Sequence, residues 1–271
     1  MNLVYSGNFE ATVDVDQQEA VRMQIGINSA TFGWNLEPET VFTTPEAVLV
    51  FSEHGLQELT HKYHACYQKH LLAPQFAQEE RPVLVNSWEA SYFDLKETEL
   101  LKLAQSSKEL GVELFVLDDG WFGKRNDTSS SLGDWFVNKQ KFPNGLSSFI
   151  SKIKAIGLDF GIWVEPEMVS EDSELFRRHP EWCVAVPGRL KSYSRGQWVL
   201  DLANEDVQDY LIETMTTLLQ THPIDYVKWD WNRSITEAGS NALAPDQQKE
   251  FYHRYILGCL LYTSPSPRDY A

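Results

Sequence analysis

Carboxylates, cations and indoles recur in this chain at spacings that suit chemistry on a polar substrate. In Tyr226-Val227-Lys228-Trp229-Asp230-Trp231-Asn232-Arg233, strand alternation sends Lys228, Asp230 and Asn232 to one face. An ammonium beside a carboxylate lowers its pKa and keeps it ionised, as a nucleophile attacking an anomeric carbon requires. The same residues suit an internal Lys-Asp ion pair. Leu117-Asp118-Asp119-Gly120-Trp121 ends an apolar run with paired acids and a ring, suited to accepting sugar hydroxyls while the ring covers an apolar sugar face. A calcium site and an Asx-turn with a helix cap are the competing readings. In Gly161-Ile162-Trp163-Val164-Glu165-Pro166-Glu167, Trp163 and Glu165 share a face, and Pro166 ends the strand. They make either a sugar pocket or a core indole beside solvated acids. Ser194-Arg195-Gly196-Gln197 offers a guanidinium fork on a loop, or an ordinary surface arginine.

Positioning these groups requires a framework, and the chain changes period to supply one. The first seventy or so residues alternate in short runs, as in 11–15, 23–27 and 47–51, which predicts antiparallel β structure. The pattern opens without a turn or cap, so it reads as the end of a larger β-domain, with Met1 an internal methionine. After the stretch 74–82, strands and amphipathic helices alternate. Strand Val83 to Asn86 precedes a helix with Leu100, Leu103, Ala104 and Leu110. Strand Leu114 to Leu117 precedes a stripe of Leu146, Ile150 and Ile153 that ends at Gly157, a C-cap. Strand 160–163 precedes a helix capped by Asn204 that buries Val207, Leu211, Met215 and Leu218. The last strand covers Tyr226 to Trp231.

Such alternation gives a parallel sheet with right-handed crossovers. No glycine-rich phosphate loop follows the first strand, and polar residues gather at the strands' C-terminal ends: Asn86 and Glu89, Asp118 and Asp119, Glu165, then Lys228, Asp230 and Asn232. Both points favour half of a (β/α)8 barrel over an open doubly wound sheet. Half a barrel leaves a strand edge unpaired and an apolar face wet, so alone it is expected to be marginal or aggregation-prone.

Bulk properties exclude several function classes. The 271 residues carry 23 basic against 39 acidic groups, a formal charge of −16 with no basic cluster, which argues against nucleic acid as a partner. No long apolar run suggests a membrane span, and the N-terminus lacks the build of a signal peptide, which weakly favours a cytoplasmic location. Cys66, Cys183 and Cys259 are odd in number and widely spaced, framing neither disulfides nor zinc. His61, His64, Cys66 and His70 read as a surface turn rather than a metal site. Asn126-Asp127-Thr128 and Asn232-Arg233-Ser234 match a glycosylation tripeptide too short to be informative. From Cys259 the helical pattern of 251–257 breaks into a Pro/Ser-rich segment that resembles a translated sequencing adapter, so 259–271 is read as non-native.

Together the motifs Asn86-Ser87-Trp88-Glu89, Asp118-Asp119-Gly120-Trp121-Phe122-Gly123, Leu132-Gly133-Asp134-Trp135, Trp163-Val164-Glu165-Pro166-Glu167-Met168, Ser194-Arg195-Gly196-Gln197 and Lys228 to Arg233 resemble those of glycoside hydrolase family 36 α-galactosidases, in order and spacing. The resemblance covers about Tyr5 to Gly258. It implies the C-terminal part of a β-sandwich domain over residues 1–75 and a partial catalytic (β/α)8 barrel over 76–258. It implies retaining hydrolysis of terminal α-linked galactose, with Asp230 as the nucleophile and Trp88, Asp118, Asp119, Trp163, Arg195, Lys228 and Asn232 lining the galactose pocket. It further implies no metal or organic cofactor, homo-oligomeric assembly, α-galactoside oligosaccharides as partners, and an acid/base aspartate on a later strand. A raffinose-type galactosyl transferase, an N-acetylgalactosamine-specific relative and a non-catalytic sugar-binding fragment are the alternatives.

Overall fold

The computed structural model describes residues 1–191 and 193–263, which form two compact units, Met1–Arg81 and a second from Pro82 onward. In the first, β1 (Asn2–Leu3), β2 (Phe9–Val15), β3 (Val21–Ile27) and β4 (Ala47–Val48) pair antiparallel, β1 with β4 and β2 with β3. The β2-β3 turn is held by the Asp16 carboxylate, which accepts the Gln18 and Ala20 amides at 2.8 and 2.9 Å.

Where alternation predicts strands through residue 70, the structure instead places a helix, α1 (Gly55–His70). Leu56, Leu59, Tyr63 and Tyr67 recur at three- and four-residue spacing there, and helical period overrides the β reading. His61, His64, Cys66 and His70 therefore lie on this helix rather than in a surface turn. Among the described residues no cluster of His, Cys, Asp and Glu is grouped to hold a metal. No described helix is long and apolar enough to cross a membrane.

The second unit runs β5 (Leu84–Asn86), α2 (Trp88–Ser91), α3 (Glu97–Glu109), β6 (Leu114–Leu117), α4 (Leu146–Ile156), β7 (Asp159–Val164), β8 (Met168–Val169), α5 (Glu174–Arg178), β9 (Trp198–Val199), α6 (Glu205–Thr221), β10 (Tyr226–Trp229) and α7 (Phe251–Thr263). Strands β5, β6, β7 and β10 make one parallel sheet in chain order. An open doubly wound sheet reverses direction at a switch point. Here each strand adds on the same side, as in the first half of a (β/α)8 barrel.

Strand β6 is buried throughout, and Leu100 and Ala104 of α3, Phe149, Ile150 and Ile153 of α4 and Val207 and Leu211 of α6 pack into the same core. Gly157 ends α4 at φ 93°, a conformation that favours glycine, and the Asn204 side chain accepts the Asp206 amide to cap α6.

Two boundaries differ from the sequence reading. Strand β10 stops at Trp229 rather than Trp231: the Asp230 amide still reaches the Val164 carbonyl at 2.9 Å, but the Asn232 amide turns to the Glu165 carboxylate at 2.8 Å. Helix α7 continues past Leu257 to Thr263, because Cys259, Leu260 and Leu261 are compatible with a helix and the first proline follows only at Pro265. Residues 264–271 of the tail lie outside the described residues.

Candidate active site

At the C-terminal ends of the parallel strands lies a cleft of about 130 Å³. It gathers Trp88, Asp118, Asp119, Trp163, Arg195, Lys228, Asp230 and Asn232 with Arg125, Thr128, Glu165 and Gln197. Residues spread over more than 140 positions meet because parallel strands in close register present their C-terminal ends together: Asn86 pairs with Val116, Leu117 with Ile162 and Trp229 with Val164.

Asp230 is half-buried in this cleft. Its Oδ2 accepts the Trp163 indole N–H at 2.9 Å and the Asn232 side-chain amide at 2.8 Å, and its Oδ1 accepts the Trp231 backbone N–H at 3.0 Å. Burial alone would push this carboxyl up. The hydrogen bonds, with a smaller contribution from the Lys228 charge, outweigh burial and hold it below the ordinary aspartate range.

The Lys228 ammonium does not bond Asp230, as adjacency in a strand suggests. It pairs with Asp118 at 2.7 Å. Ending β10 at Trp229 turns Asp230 out of the strand's alternation, and the buried Asp118 carboxylate, which also accepts the Asn86 amide at 2.5 Å, takes the cation. Asp119 receives the Arg125 guanidinium as a fork, Nε to Oδ1 at 3.0 Å and Nη2 to Oδ2 at 2.9 Å, with both side chains almost fully buried. Burial raises the Asp119 pKa and the fork opposes that rise. Each acid of the pair therefore has its own cation, leaving no uncompensated charge to attract calcium.

The indole beside these acids in sequence plays a different part from the one its position suggests. Trp121 is fully buried, packed on Phe122 and Trp135 with centroids 5.2 and 6.2 Å away, and its N–H donates to the Trp163 carbonyl at 2.9 Å. The rings that line the cleft are Trp88 and Trp163. Nor are the acids after Trp163 solvated. Glu165 and Glu167 are each 1% exposed. Glu167 accepts the Trp229 indole N–H at 2.7 Å and the Tyr255 hydroxyl at 3.0 Å, so it supports the strand rather than the cleft. Glu165 lines the cleft, accepts the Asn232 amide, and is pushed to about 7, chiefly by burial, with the Asp230 charge adding to the rise.

Arg195 is exposed and adopts φ 55° in a tight turn bridged from Ser194 to Gln197. Gly196 has to be glycine: at φ 71° an added Cβ would stand 2.8 Å from the Thr128 carbonyl oxygen. Sequence motifs do not single out Arg125, and they mark Thr128 only through a glycosylation tripeptide unrelated to the cleft. The signal for Arg125 is indirect, since a buried acid pair needs a second cation and Arg125 lies six residues beyond Asp119.

The Melibiase family profile matches residues 41–264, and the Glycosyl hydrolase family 36 N-terminal domain matches residues 1–37. Alpha-galactosidase AgaA of Geobacillus stearothermophilus is 52% identical over 257 residues, covering 95% of this chain and 35% of that protein. The crystal structure of alpha-galactosidase AgaB from the same organism superposes with a TM-score of 0.92 at 53% identity, over 96% of this chain and 36% of AgaB. The Lactobacillus brevis alpha-galactosidase gives 0.94 at 49% identity, over 96% of this chain and 35% of that one. Variants of AgaA have been solved in complex with stachyose and with raffinose. The chain thus spans about a third of the length of the curated relatives it matches. A profile that covers most of the sequence, on a half-barrel whose motifs converge in one cleft, places the chain in the melibiase family.

Proposed function

We propose that the full-length protein is a retaining α-galactosidase that releases terminal α-linked galactose from oligosaccharides such as melibiose or raffinose, with Asp230 as nucleophile. The observation that carries this reading is the environment of Asp230: a carboxylate in an open cleft, held ionised by two neutral donors on one oxygen and a backbone N–H on the other. The names of the relatives and the oligosaccharides bound to AgaA support the substrate class.

In the first half-reaction the Asp230 carboxylate forms a bond to the anomeric carbon. The glycosidic C–O bond breaks, and the leaving oxygen takes a proton from a carboxylic acid about 5 to 5.5 Å from the nucleophile. In the second, that carboxylate deprotonates a water, which displaces Asp230 and completes retention. Asp118 with Lys228, Asp119 with Arg125, and Arg195 supply acceptors and donors for galactose hydroxyls, and Trp88 and Trp163 the apolar walls.

We assign the acid/base to a part of the full-length protein outside this chain, and the chain alone is expected to lack hydrolysis. Glu165 has a pKa suited to an acid, but its carboxylate is tied to the Asn232 backbone, whose side chain holds Asp230. It is assigned to support.

Asp230→Asn tests the reading in the full-length protein. Hydrolysis of an aryl α-galactoside is expected to fall by roughly 10⁴-fold, while galactose binding by calorimetry stays within a few-fold, because the amide keeps the shape and loses the nucleophile. Undiminished hydrolysis by that variant would sink the assignment.

A further inference from the structure

We propose that Lys141 is a positioning residue for galactose recognition: its ammonium ties the loop after β5, which supports Trp88, to the loop after β6, which carries Asp119 and Arg125. The inference rests on the α-galactosidase reading.

Three backbone carbonyls converge on the Lys141 Nζ: Phe93 at 2.9 Å, Gly120 at 2.8 Å and Arg125 at 2.8 Å. An ammonium has three protons to donate, and all three are used. The lysine is itself anchored. Its amide donates to the Asn138 Oδ1 at 3.1 Å, and the Asn138 side-chain amide donates to the Gly123 carbonyl at 2.9 Å.

Each of the three peptides belongs to a segment that shapes the cleft. The Phe93 ring stands edge-on to Trp88, centroids 5.1 Å apart, and the Arg125 guanidinium lies 5.6 Å from the Phe93 ring centre. Gly120 directly follows Asp119, and Arg125 is the fork on Asp119. Three carbonyl oxygens aimed at one point repel each other unless a cation sits between them, so the ammonium acts as an internal cation in a carbonyl ring. Without it, three part-buried carbonyls lose a shared donor and the two loops drift apart. Displacements of the order of an ångström suffice to weaken recognition.

The nucleophile is held from another side. Trp163, Trp231 and Asn232 bond Asp230, and the Lys141 ammonium bonds none of these segments. The expected signature is therefore a rise in KM with kcat largely kept, which a general loss of fold would not give.

The test uses Lys141→Ala and Lys141→Met in the full-length protein, assayed on an aryl α-galactoside in ammonium or tetramethylammonium chloride at equal ionic strength. In tetramethylammonium, which is too bulky for the ring, both variants should show KM raised about tenfold or more and kcat within about threefold of the parent. Ammonium, which fits the vacated ring, should restore KM in Lys141→Ala; tetramethylammonium, which has no proton to donate, should not. Lys141→Met should not respond, because its side chain fills the space. The proposal is overturned if either folded variant keeps the parent KM in tetramethylammonium, if ammonium rescues Lys141→Ala no better than tetramethylammonium does, or if both variants fail to fold in either salt. An unmutated protein inactive on the galactoside would instead refute the α-galactosidase reading. The tether would then be read from thermal unfolding, where ammonium should stabilise Lys141→Ala and leave the parent unchanged.

Discussion

Replacing Trp163 with phenylalanine takes one hydrogen bond from Asp230 and leaves an aromatic ring in its place. The indole N–H lies 2.9 Å from the Asp230 Oδ2, and the ring, 2% exposed, stacks nearly parallel on Phe122 at 6.2 Å. A hydrogen bond to a charged acceptor contributes about 1.5 to 3 kcal/mol. Its loss raises the Asp230 pKa, because the donor favours the ionised form. Asp230 is only half-buried and Asn232 remains on the same oxygen, so the lower end of that range is expected, about a tenfold loss of kcat/KM on the acidic limb at about 1.4 kcal/mol per factor of ten. The sign follows from the proposed mechanism: the ionised form attacks, activity is lost as pH falls through the folded-state pKa, and a higher pKa moves that loss to higher pH. The assay is kcat/KM for an aryl α-galactoside against pH in the full-length protein, whose acidic limb reports the free enzyme. Circular dichroism and Tm separate this effect from the packing cost of the smaller ring, about 0.5 to 3 kcal/mol. An acidic limb that stays in place, or moves downward, in a folded variant would refute the assignment of Trp163 as the donor that keeps Asp230 ionised.

Arg125→Met strands the Asp119 carboxylate in a buried site, so unfolding in denaturant at neutral pH should show a loss of about 3 to 5 kcal/mol, larger than for a surface arginine. A loss under 1 kcal/mol, as expected of an exposed pair, would contradict the buried fork. Glu165 is raised to about 7 in the fold, so its contribution to stability is fully present below the ordinary glutamate range and is lost as pH rises through about 7. Glu165→Gln removes that titration: Tm of the parent relative to the variant should fall between pH 5 and pH 8, and a constant difference across that range would count against a protonated Glu165.

Local pattern carried much of this molecule. Strands β5, β6 and β7, the glycine cap at Gly157, the Asn204 cap and the buried face of α6 follow from apolar spacing and capping chemistry within a few residues. The eight residues nominated from motifs also line one cleft, because side chains at the C-terminal ends of parallel strands must share a face once the sheet forms. Helix α1 escaped because its spacing follows directly on short alternating runs, so neighbouring windows favour different periods.

Pairing was decided elsewhere. Sequence adjacency puts Lys228 beside Asp230, yet the ammonium reaches Asp118 across 110 positions, since buried charges seek the partner that the folded sheet brings within bonding distance. Trp121 adjoins the acid pair and faces the core, while Trp88, from another strand's loop, lines the cleft. Lys141 carries no motif signal because its partners are three backbone carbonyls, groups every peptide possesses, and Arg125 carries only an indirect one, its carboxylate partner lying six residues away. Residue types and spacing therefore specify which chemistry is present and on which elements it rides. Which donor meets which acceptor depends on distances between segments far apart in the chain, and these exist only once the sheet has assembled.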